Sequence, residues 1–160
     1  MSIELFLLAE KVISAASKKT CRLAFAESCT GGLIASTLTS VPGASSIFMG
    51  SAVTYSNDAK RDILGVGQDV LDQFGAVSAA CAEQMAFGAK RIYRSEVAVS
   101  VTGVAGPDGG TVEKPVGLVW FGYSCSEKTI SFMRHFVGDR EMVRAQTVRE
   151  ALEFLLKELS

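Results

Sequence analysis

The sequence predicts an α/β domain, a three-layer α/β/α sandwich with a mixed, mostly parallel sheet. Short apolar segments alternate with segments whose apolar residues recur at helical spacing, which favours crossover helices between parallel strands. Two β-rich segments, 116–125 and 129–137, are joined by a tight turn and add an antiparallel pair. The 160 residues fit one compact domain, and we expect residues 1–160 to form it alone.

The first half of the chain alternates between the two element types. Leu5, Leu8 and Val12 recur at helical spacing, and Pro42-Gly43 stops a later helical segment. Asn57 is the expected N-cap of the segment that follows it. We expect helices over 2–19, 33–41 and 57–64, and strands over 22–27 and 47–56.

The second half adds a long helix and the hairpin. Ser78 is placed to cap an alanine-rich segment, and β-branched residues fill 97–101. We expect a turn of helix over 70–74, helices over 78–94 and 139–159, and strands over 97–101, 116–125 and 129–137. The segment 103–115 is then a loop rich in glycine and proline.

Composition excludes several classes of protein. The net charge is -1 and no basic run occurs, which argues against nucleic acid and against electrostatic docking to a membrane. The apolar N-terminus is interrupted by charges, unlike a signal peptide or a membrane span. Four cysteines without a C-x-x-C pair, together with a single histidine, predict no metal site and free thiols in the reducing cytoplasm.

A strand-to-helix turn over 26–32 contains Ser28, Thr30 and Gly31. Paired glycines let the backbone approach a ligand, and free N–H groups at a helix start favour an anion. The same residues also suit a helix cap and a tight turn. Residue type alone leaves both interpretations open.

A lysine at a predicted helix start is the most unusual feature. Lys60 falls in the first turn of the 57–64 helix, where the helix dipole disfavours a cation and lowers its pKa. An uncharged lysine near working pH is suited to act as a general base. The alternative is a solvated lysine paired with Asp58 or Glu27. Tyr55 lies just before it, at a strand end.

A glycine-rich loop over 102–111 and a second cation at a helix start complete the polar segments. Gly109 and Gly110 suit close contact with phosphate or ribose, although the loop also suits a simple connector. Arg140 is at the start of the last helix, and its guanidinium is a candidate to bind an anion. A salt bridge with Asp139 or Glu141 is the alternative for Arg140.

In combination, these segments resemble the CinA C-terminal domain family over nearly the whole chain. The matching runs are Ala26-Glu27-Ser28-Cys29-Thr30-Gly31-Gly32, Tyr55-Ser56-Asn57 with Ala59-Lys60, Gly75-Ala76-Val77-Ser78, Thr102-Gly103-Val104-Ala105-Gly106-Pro107 and Glu113-Lys114-Pro115-Val116-Gly117. The resemblance implies a nicotinamide-nucleotide amidase, which converts nicotinamide mononucleotide to nicotinate mononucleotide and ammonia. It implies the stand-alone form, without the molybdopterin-binding-type domain of long CinA proteins.

The resemblance also implies roles for particular residues in a serine/lysine hydrolase. It places the nucleophile on Ser45 and the base on Lys60, with Tyr55 beside them. Family members often read Gly-Ser-Ser where this chain has Gly43-Ala44-Ser45-Ser46, so Ser46 is the alternative nucleophile. The positions that match substrate-binding or network residues are Ser28, Thr102, Gly103 and Arg140.

The substrate itself sets further expectations. The phosphate requires a cation and N–H donors, supplied either by Arg140 with Gly109 and Gly110 or by the helix start at Thr30 and Gly31. Tyr55 and Glu27 are candidates to hold the pyridinium ring. No metal or cofactor is required. The resemblance implies a small-molecule nucleotide as partner and at least a homodimer.

Two other functions stay open. Cys29 lies at a predicted helix start, where a thiol pKa falls, so a cysteine amidase is the nearest alternative. A nucleotide- or partner-binding protein of the competence/damage-inducible type, without catalysis, is the other. A Ser-His-Asp triad would have to use His135, the single histidine, within an apolar strand, and is disfavoured.

Overall fold

The computed structural model describes residues 2–160 and confirms the α/β fold, with a five-stranded sheet between two layers of helices. The strands are β1 (Leu23–Glu27), β2 (Phe48–Val53), β3 (Val97–Gly103), β4 (Leu118–Ser124) and β5 (Thr129–His135). The helices are α1 (Ile3–Lys18), α2 (Leu33–Thr39), α3 (Asn57–Leu64), α4 (Gln68–Phe74), α5 (Ala79–Tyr93) and α6 (Arg140–Leu159), with a 3₁₀ turn at Ala44–Ser46. Within residues 2–160, no helix is long and apolar enough to cross a membrane.

The sheet is mixed, as predicted, with strand order β2-β1-β3-β4-β5. β1 pairs in parallel with β2 on one side and with β3 on the other. β4 is antiparallel to both of its neighbours, which gives the expected hairpin. The carboxyl ends of β1, β2 and β3 therefore meet at one edge of the sheet.

Two apolar cores hold the layers together. Phe25, Phe121 and Leu152 belong to the core between the sheet and the layer of α1, α2 and α6. On the other face, Ala26 and Met85 belong to the core under α3, α4 and α5. Every residue of β1 is buried, because β1 is central and covered on both faces. Such a strand gives the site a rigid base.

The structure shifts several predicted boundaries. β2 ends at Val53 rather than at Ser56. Ser56, not Asn57, caps α3, with the Ser56 hydroxyl accepting from the amide of Ala59 at 3.1 Å. β4 begins at Leu118, after Gly117 turns the chain with a φ of 94°. Residues 54–56 connect β2 to α3 at the carboxyl edge of the sheet.

Candidate active site

The candidate site is a cavity of about 300 Å³ at the carboxyl edge of the parallel strands. The chain leaves β1 through α2 to β2 on one side, whereas β3 pairs with β1 on the other side. Such a switch point opens a crevice in α/β sheets. The walls come from the segments that follow β1, β2 and β3, from the α4–α5 connection and from the first turn of α6.

Lys60 is the most deeply buried charged group of the cavity, with 1% of its surface exposed. Its Nζ atom lies 2.9 Å from Oγ of Ser28. It also donates to the backbone carbonyls of Thr54 at 2.8 Å and Tyr55 at 3.2 Å. Asp58 pairs with Arg61 instead, and Lys60 is buried, so the alternative of a solvated Lys60 paired with Asp58 or Glu27 does not hold.

Burial disfavours the charged form of Lys60. Burial lowers its pKa below the ordinary value of 10.5. As an ammonium, Nζ donates to the carbonyls of Thr54 and Tyr55 and to the Ser28 hydroxyl; after loss of one proton, two N–H donors remain for the carbonyls and the lone pair is left for Ser28. The deprotonated amine is thus placed to accept the hydrogen bond of the Ser28 hydroxyl.

Ser28 is held at the end of β1 by backbone contacts. Its amide donates to the carbonyl of Val101 in β3 at 3.0 Å, and its carbonyl accepts from the amide of Gly31 at 3.0 Å. The hydroxyl is therefore presented at the sheet edge from a tight turn, beside Lys60.

The buried Glu27 carboxylate stabilises that turn through hydrogen bonds. Its carboxylate is fully buried and accepts from the Thr30 hydroxyl at 2.7 Å and the Ser51 hydroxyl at 3.0 Å. It also accepts from three amides at the start of α2, at 3.0 to 3.1 Å, which belong to Gly32, Ile34 and Ala35. A carboxylate at a helix start is electrostatically favoured. Because these contacts occupy it in the core, Glu27 does not face the cavity, and the expectation that it holds a pyridinium ring is wrong.

Arg140 and Tyr55 close one side of the cavity together. The Nη2 atom of Arg140 donates to the Tyr55 hydroxyl at 3.1 Å, and Nη1 donates to the carbonyl of Gly106 at 2.9 Å. The expected alternative, an ion pair of Arg140 with Asp139 or Glu141, does not form within residues 2–160. Arg140 instead lines the cavity through contacts with a phenol and a carbonyl.

The loop after β3 forms another part of the wall. The Thr102 hydroxyl donates to the carbonyl of Ala76 at 2.9 Å, which ties β3 to the α4–α5 connection. A side chain at Gly103 would lie 2.7 Å from the carbonyl oxygen of Leu118, so only glycine fits. Gly109 lines the cavity but Gly110 does not, since it packs against Val116.

The structure does not bring Ser45 to Lys60. Ser45 is exposed in the 3₁₀ turn before β2, whereas Lys60 follows β2. β2 has six residues, and at about 3.3 Å per residue its two ends lie roughly 17 Å apart. The alternative, Ser46, lies in the same turn and donates to the carbonyl of Gly43 at 2.8 Å. Neither serine lines the cavity, so the expected pairing of Ser45 with Lys60 is wrong.

Two other expected ligand residues face elsewhere. The Thr30 hydroxyl donates to the Glu27 carboxylate, and the Thr30 carbonyl accepts from Arg144 at 2.8 Å. Gly31 is exposed beside the same arginine, and neither residue lines the cavity. This turn shapes the position of Ser28 rather than the cavity wall.

Cys29 borders the cavity, but its chemistry is opposite to the expectation. It is 5% exposed, and burial raises the pKa of its thiol to about 11. A nucleophilic cysteine requires a lowered pKa. His135 lies away from this site and contacts the carbonyl of Val116. Within residues 2–160, no group of three or more His, Cys, Asp or Glu side chains could hold a metal ion.

Residue-type reasoning missed part of the wall. Ala76, Val77 and Asp108 line the cavity. Ala76 and Val77 were visible in the sequence only within the run Gly75-Ala76-Val77-Ser78, because small apolar residues in a connection carry no chemical signal of their own. Asp108 was visible only as part of the glycine-rich loop 102–111.

The fold and the site define an α/β domain with a buried lysine–serine pair at the switch point of its sheet. Residues 6–159 match the family model of the CinA C-terminal domain, and the chain belongs to that family. It is 48% identical over 134 residues to the nicotinamide-nucleotide amidohydrolase PncC of Enterobacter agglomerans, covering 83% of this chain and 82% of that protein. It is 48% identical over 128 residues to a CinA-like protein of Petrotoga mobilis, covering 80% of this chain and 31% of that protein.

Solved structures agree with the fold. The competence/damage inducible protein CihA from Agrobacterium tumefaciens superposes with a TM-score of 0.93 at 45% identity, covering 98% of both chains. A CinA superfamily protein from Klebsiella pneumoniae superposes with a TM-score of 0.94 at 35% identity, covering 97% of both. The chain spans about a third of the length of several CinA-like relatives, at 31%, 33% and 34%.

Proposed function

We propose that this protein is an amidohydrolase that converts nicotinamide mononucleotide to nicotinate mononucleotide and ammonia, with Ser28 as nucleophile and Lys60 as general base. The observation that carries the proposal is the 2.9 Å contact between Nζ of a buried lysine and Oγ of Ser28. The name of the Enterobacter relative, a nicotinamide-nucleotide amidohydrolase, supports the substrate.

In the first half of the reaction, neutral Lys60 takes the proton of Ser28. The serine oxygen attacks the carboxamide carbon, and the carbonyl oxygen gains the negative charge. Backbone N–H groups of the turn after Ser28, beginning with Cys29, are the candidate donors to that oxygen. The C–N bond then breaks, the proton held by Lys60 passes to the departing nitrogen, and ammonia leaves.

In the second half, water attacks the ester carbon of the acyl-enzyme. Lys60, again neutral, takes a proton from the water. It returns that proton to the Ser28 oxygen as the C–O bond breaks, which releases nicotinate mononucleotide. Lys60 passes on each proton that it accepts, so Lys60 is again neutral and Ser28 again protonated at the end of the cycle.

Arg140 and Tyr55 are proposed to position the substrate. Tyr55 is 61% exposed at the cavity mouth, and its ring offers a face to the positively charged pyridinium. The Arg140 guanidinium, which donates to the Tyr55 hydroxyl, is a cation of the cavity wall that is available to a phosphate. Thr102, Gly103 and Gly109 shape the wall against which the ring and ribose would lie.

We also propose that the protein acts in the cytoplasm as a single domain over residues 1–160 and as a homodimer. Sizing by light scattering tests the last point, because a mass of twice 17.0 kDa is expected. A monomer at micromolar concentration would contradict it.

Ammonia release from nicotinamide mononucleotide tests the reaction. Ser28→Ala should abolish turnover, whereas the matched variant Ser45→Ala should retain it, because Ser45 lies outside the cavity. Circular dichroism shows whether each variant is folded. A folded wild type that binds the nucleotide without releasing ammonia would instead support the binding-protein function, and activity in Ser28→Ala would remove the nucleophile.

A further inference from the structure

A carboxylate that the proposed reaction does not use lies in the wall of the cavity that contains Ser28 and Lys60. It belongs to Asp108, which is exposed in the loop after β3 and is the one acidic residue of that wall within residues 2–160. None of the ion pairs in this part of the chain includes Asp108. The cavity therefore has a negative charge that no cation of the described chain neutralises by direct contact.

The loop that carries Asp108 is fixed on both sides of it. Before Asp108, the carbonyl of Gly106 accepts from Nη1 of Arg140 at 2.9 Å. After it, the amide of Thr111 donates to the carbonyl of Lys114 at 2.8 Å, and the Thr111 hydroxyl accepts from the Lys114 amide at 3.0 Å. These contacts hold Asp108 at the cavity wall.

The other ionisable groups near the cavity do not offer a second negative charge. Burial raises the pKa of the Cys29 thiol to about 11, so this thiol is uncharged at neutral pH. Glu27 is fully buried, and its carboxylate accepts hydrogen bonds from the start of α2. Lys60 and Arg140 are basic. A cation that enters the cavity therefore has Asp108 as its carboxylate partner.

The proposed substrate brings such a cation. The ring nitrogen of nicotinamide mononucleotide is quaternary, so the pyridinium ring is positively charged. The 1,4-dihydro form of this nucleotide has the same carboxamide, ribose and phosphate but an uncharged ring. A nearby carboxylate attracts the first ring and not the second, whereas hydrogen bonds to the shared groups do not distinguish the two nucleotides.

We infer that Asp108 is a specificity-determining residue, which favours substrates with a cationic pyridinium ring over the uncharged dihydro form. This inference rests on the proposed function for the identity of the substrate. It assigns to the loop after β3 the role that Glu27 does not have. Because the ring stays charged throughout the reaction, Asp108 stabilises the bound substrate and the transition state alike, which affects KM rather than kcat.

The kinetic test uses two variants that remove the same charge from the same loop. Asp108→Asn removes it from the cavity wall, whereas the matched control Glu113→Gln removes an exposed carboxylate outside that wall. Asp108→Asn should raise KM for nicotinamide mononucleotide by about fivefold and change kcat by less than about twofold. Glu113→Gln should change neither. A lowered kcat at unchanged KM in Asp108→Asn would overturn the inference.

Salt provides a readout that a purely structural role of Asp108 would not change. The Debye length falls from about 10 Å at 0.1 M salt to about 3 Å at 1 M. The ratio of KM between Asp108→Asn and wild type should therefore fall towards one as salt is added. A ratio that stays constant would show that the loss is not electrostatic.

Calorimetry separates this inference from the proposed function, because it requires no turnover. Nicotinamide mononucleotide and its 1,4-dihydro form are each titrated into Ser28→Ala, alone and combined with Asp108→Asn or Glu113→Gln. Only Asp108→Asn should weaken binding of the cationic form, by about fivefold, and it should leave the dihydro form unchanged. This result supports the inference even if the wild type releases no ammonia. Equal weakening of both forms, no weakening of the cationic form, or no binding of it to Ser28→Ala would overturn the inference.

Discussion

The Nζ atom of Lys60 lies 2.9 Å from the Oγ atom of Ser28, although 32 positions separate the two residues in the chain. They meet because β1 and β2 are parallel neighbours whose carboxyl ends share one edge. Ser28 follows the first strand directly, and Lys60 turns back over the end of the second. This contact and the buried groups that maintain it determine how activity and stability respond to pH and to substitution.

Activity should depend on pH through Lys60. Burial lowers its pKa below 10.5, while the neighbouring thiols of Cys81 and Cys29 act more weakly in the opposite direction. Because only the neutral amine accepts the Ser28 proton, kcat/KM should rise with pH through the lowered pKa and then level off before 10.5. A profile that stays flat from acid to alkaline pH would exclude a lysine base.

The same lysine should give a pH-dependent contribution to stability. Between its lowered folded pKa and 10.5, the unfolded chain binds a proton that the folded chain lacks, so the free energy of unfolding rises with pH in this window. Lys60→Met removes that dependence. The difference in unfolding free energy, wild type minus variant, should grow as pH rises in urea titrations. A constant difference would show that the lysine is not destabilised when charged.

Glu27→Gln should destabilise the fold and misplace Ser28. Its carboxylate accepts five hydrogen bonds, and an amide in its place presents N–H groups to donors, leaving at least one donor unsatisfied. We expect a loss of about 1–3 kcal/mol in the free energy of unfolding, measured in urea.

Glu4→Gln is the matched control for that change. Glu4 forms an exposed ion pair with Arg149, and exposed pairs contribute roughly 0–1 kcal/mol. Equal losses of unfolding free energy in the two variants would show that the buried Glu27 carboxylate contributes no more than the exposed ion pair of Glu4.

Cys29→Ala should leave turnover largely intact. The thiol is buried and its pKa is raised to about 11, so it is protonated at working pH. Ammonia release by the variant, compared with wild type at the same pH, measures this. Loss of turnover in a folded Cys29→Ala protein would restore the cysteine-amidase alternative.

The fold could be predicted from the sequence because the patterns that determine its elements are local. Helical spacing in α1 and α5, the β-branched run in β3 and the tight turn between β4 and β5 each follow from neighbouring residues. The caps were less readable, since both Ser56 and Asn57 suit an N-cap and only the turn geometry selects Ser56.

Only some of the relationships in the candidate site could be predicted from the sequence. Lys60, Tyr55, Ser28 and Arg140 stood out as polar residues at strand ends and helix starts, and all four line the cavity. The partner of Lys60 was not readable, because it depends on strand order. Ser45 precedes β2 and Ser28 follows β1, and only the parallel pairing of these strands shows which hydroxyl reaches the lysine.

The most direct test of the account is to locate the acyl group on the enzyme. Wild-type protein mixed with nicotinamide mononucleotide is quenched in acid within the first turnover, digested and analysed by mass spectrometry. We expect the nicotinate-mononucleotide ester on Ser28, and we expect Lys60→Met to form none. An ester on any other residue, or turnover without an acyl-enzyme, would contradict it.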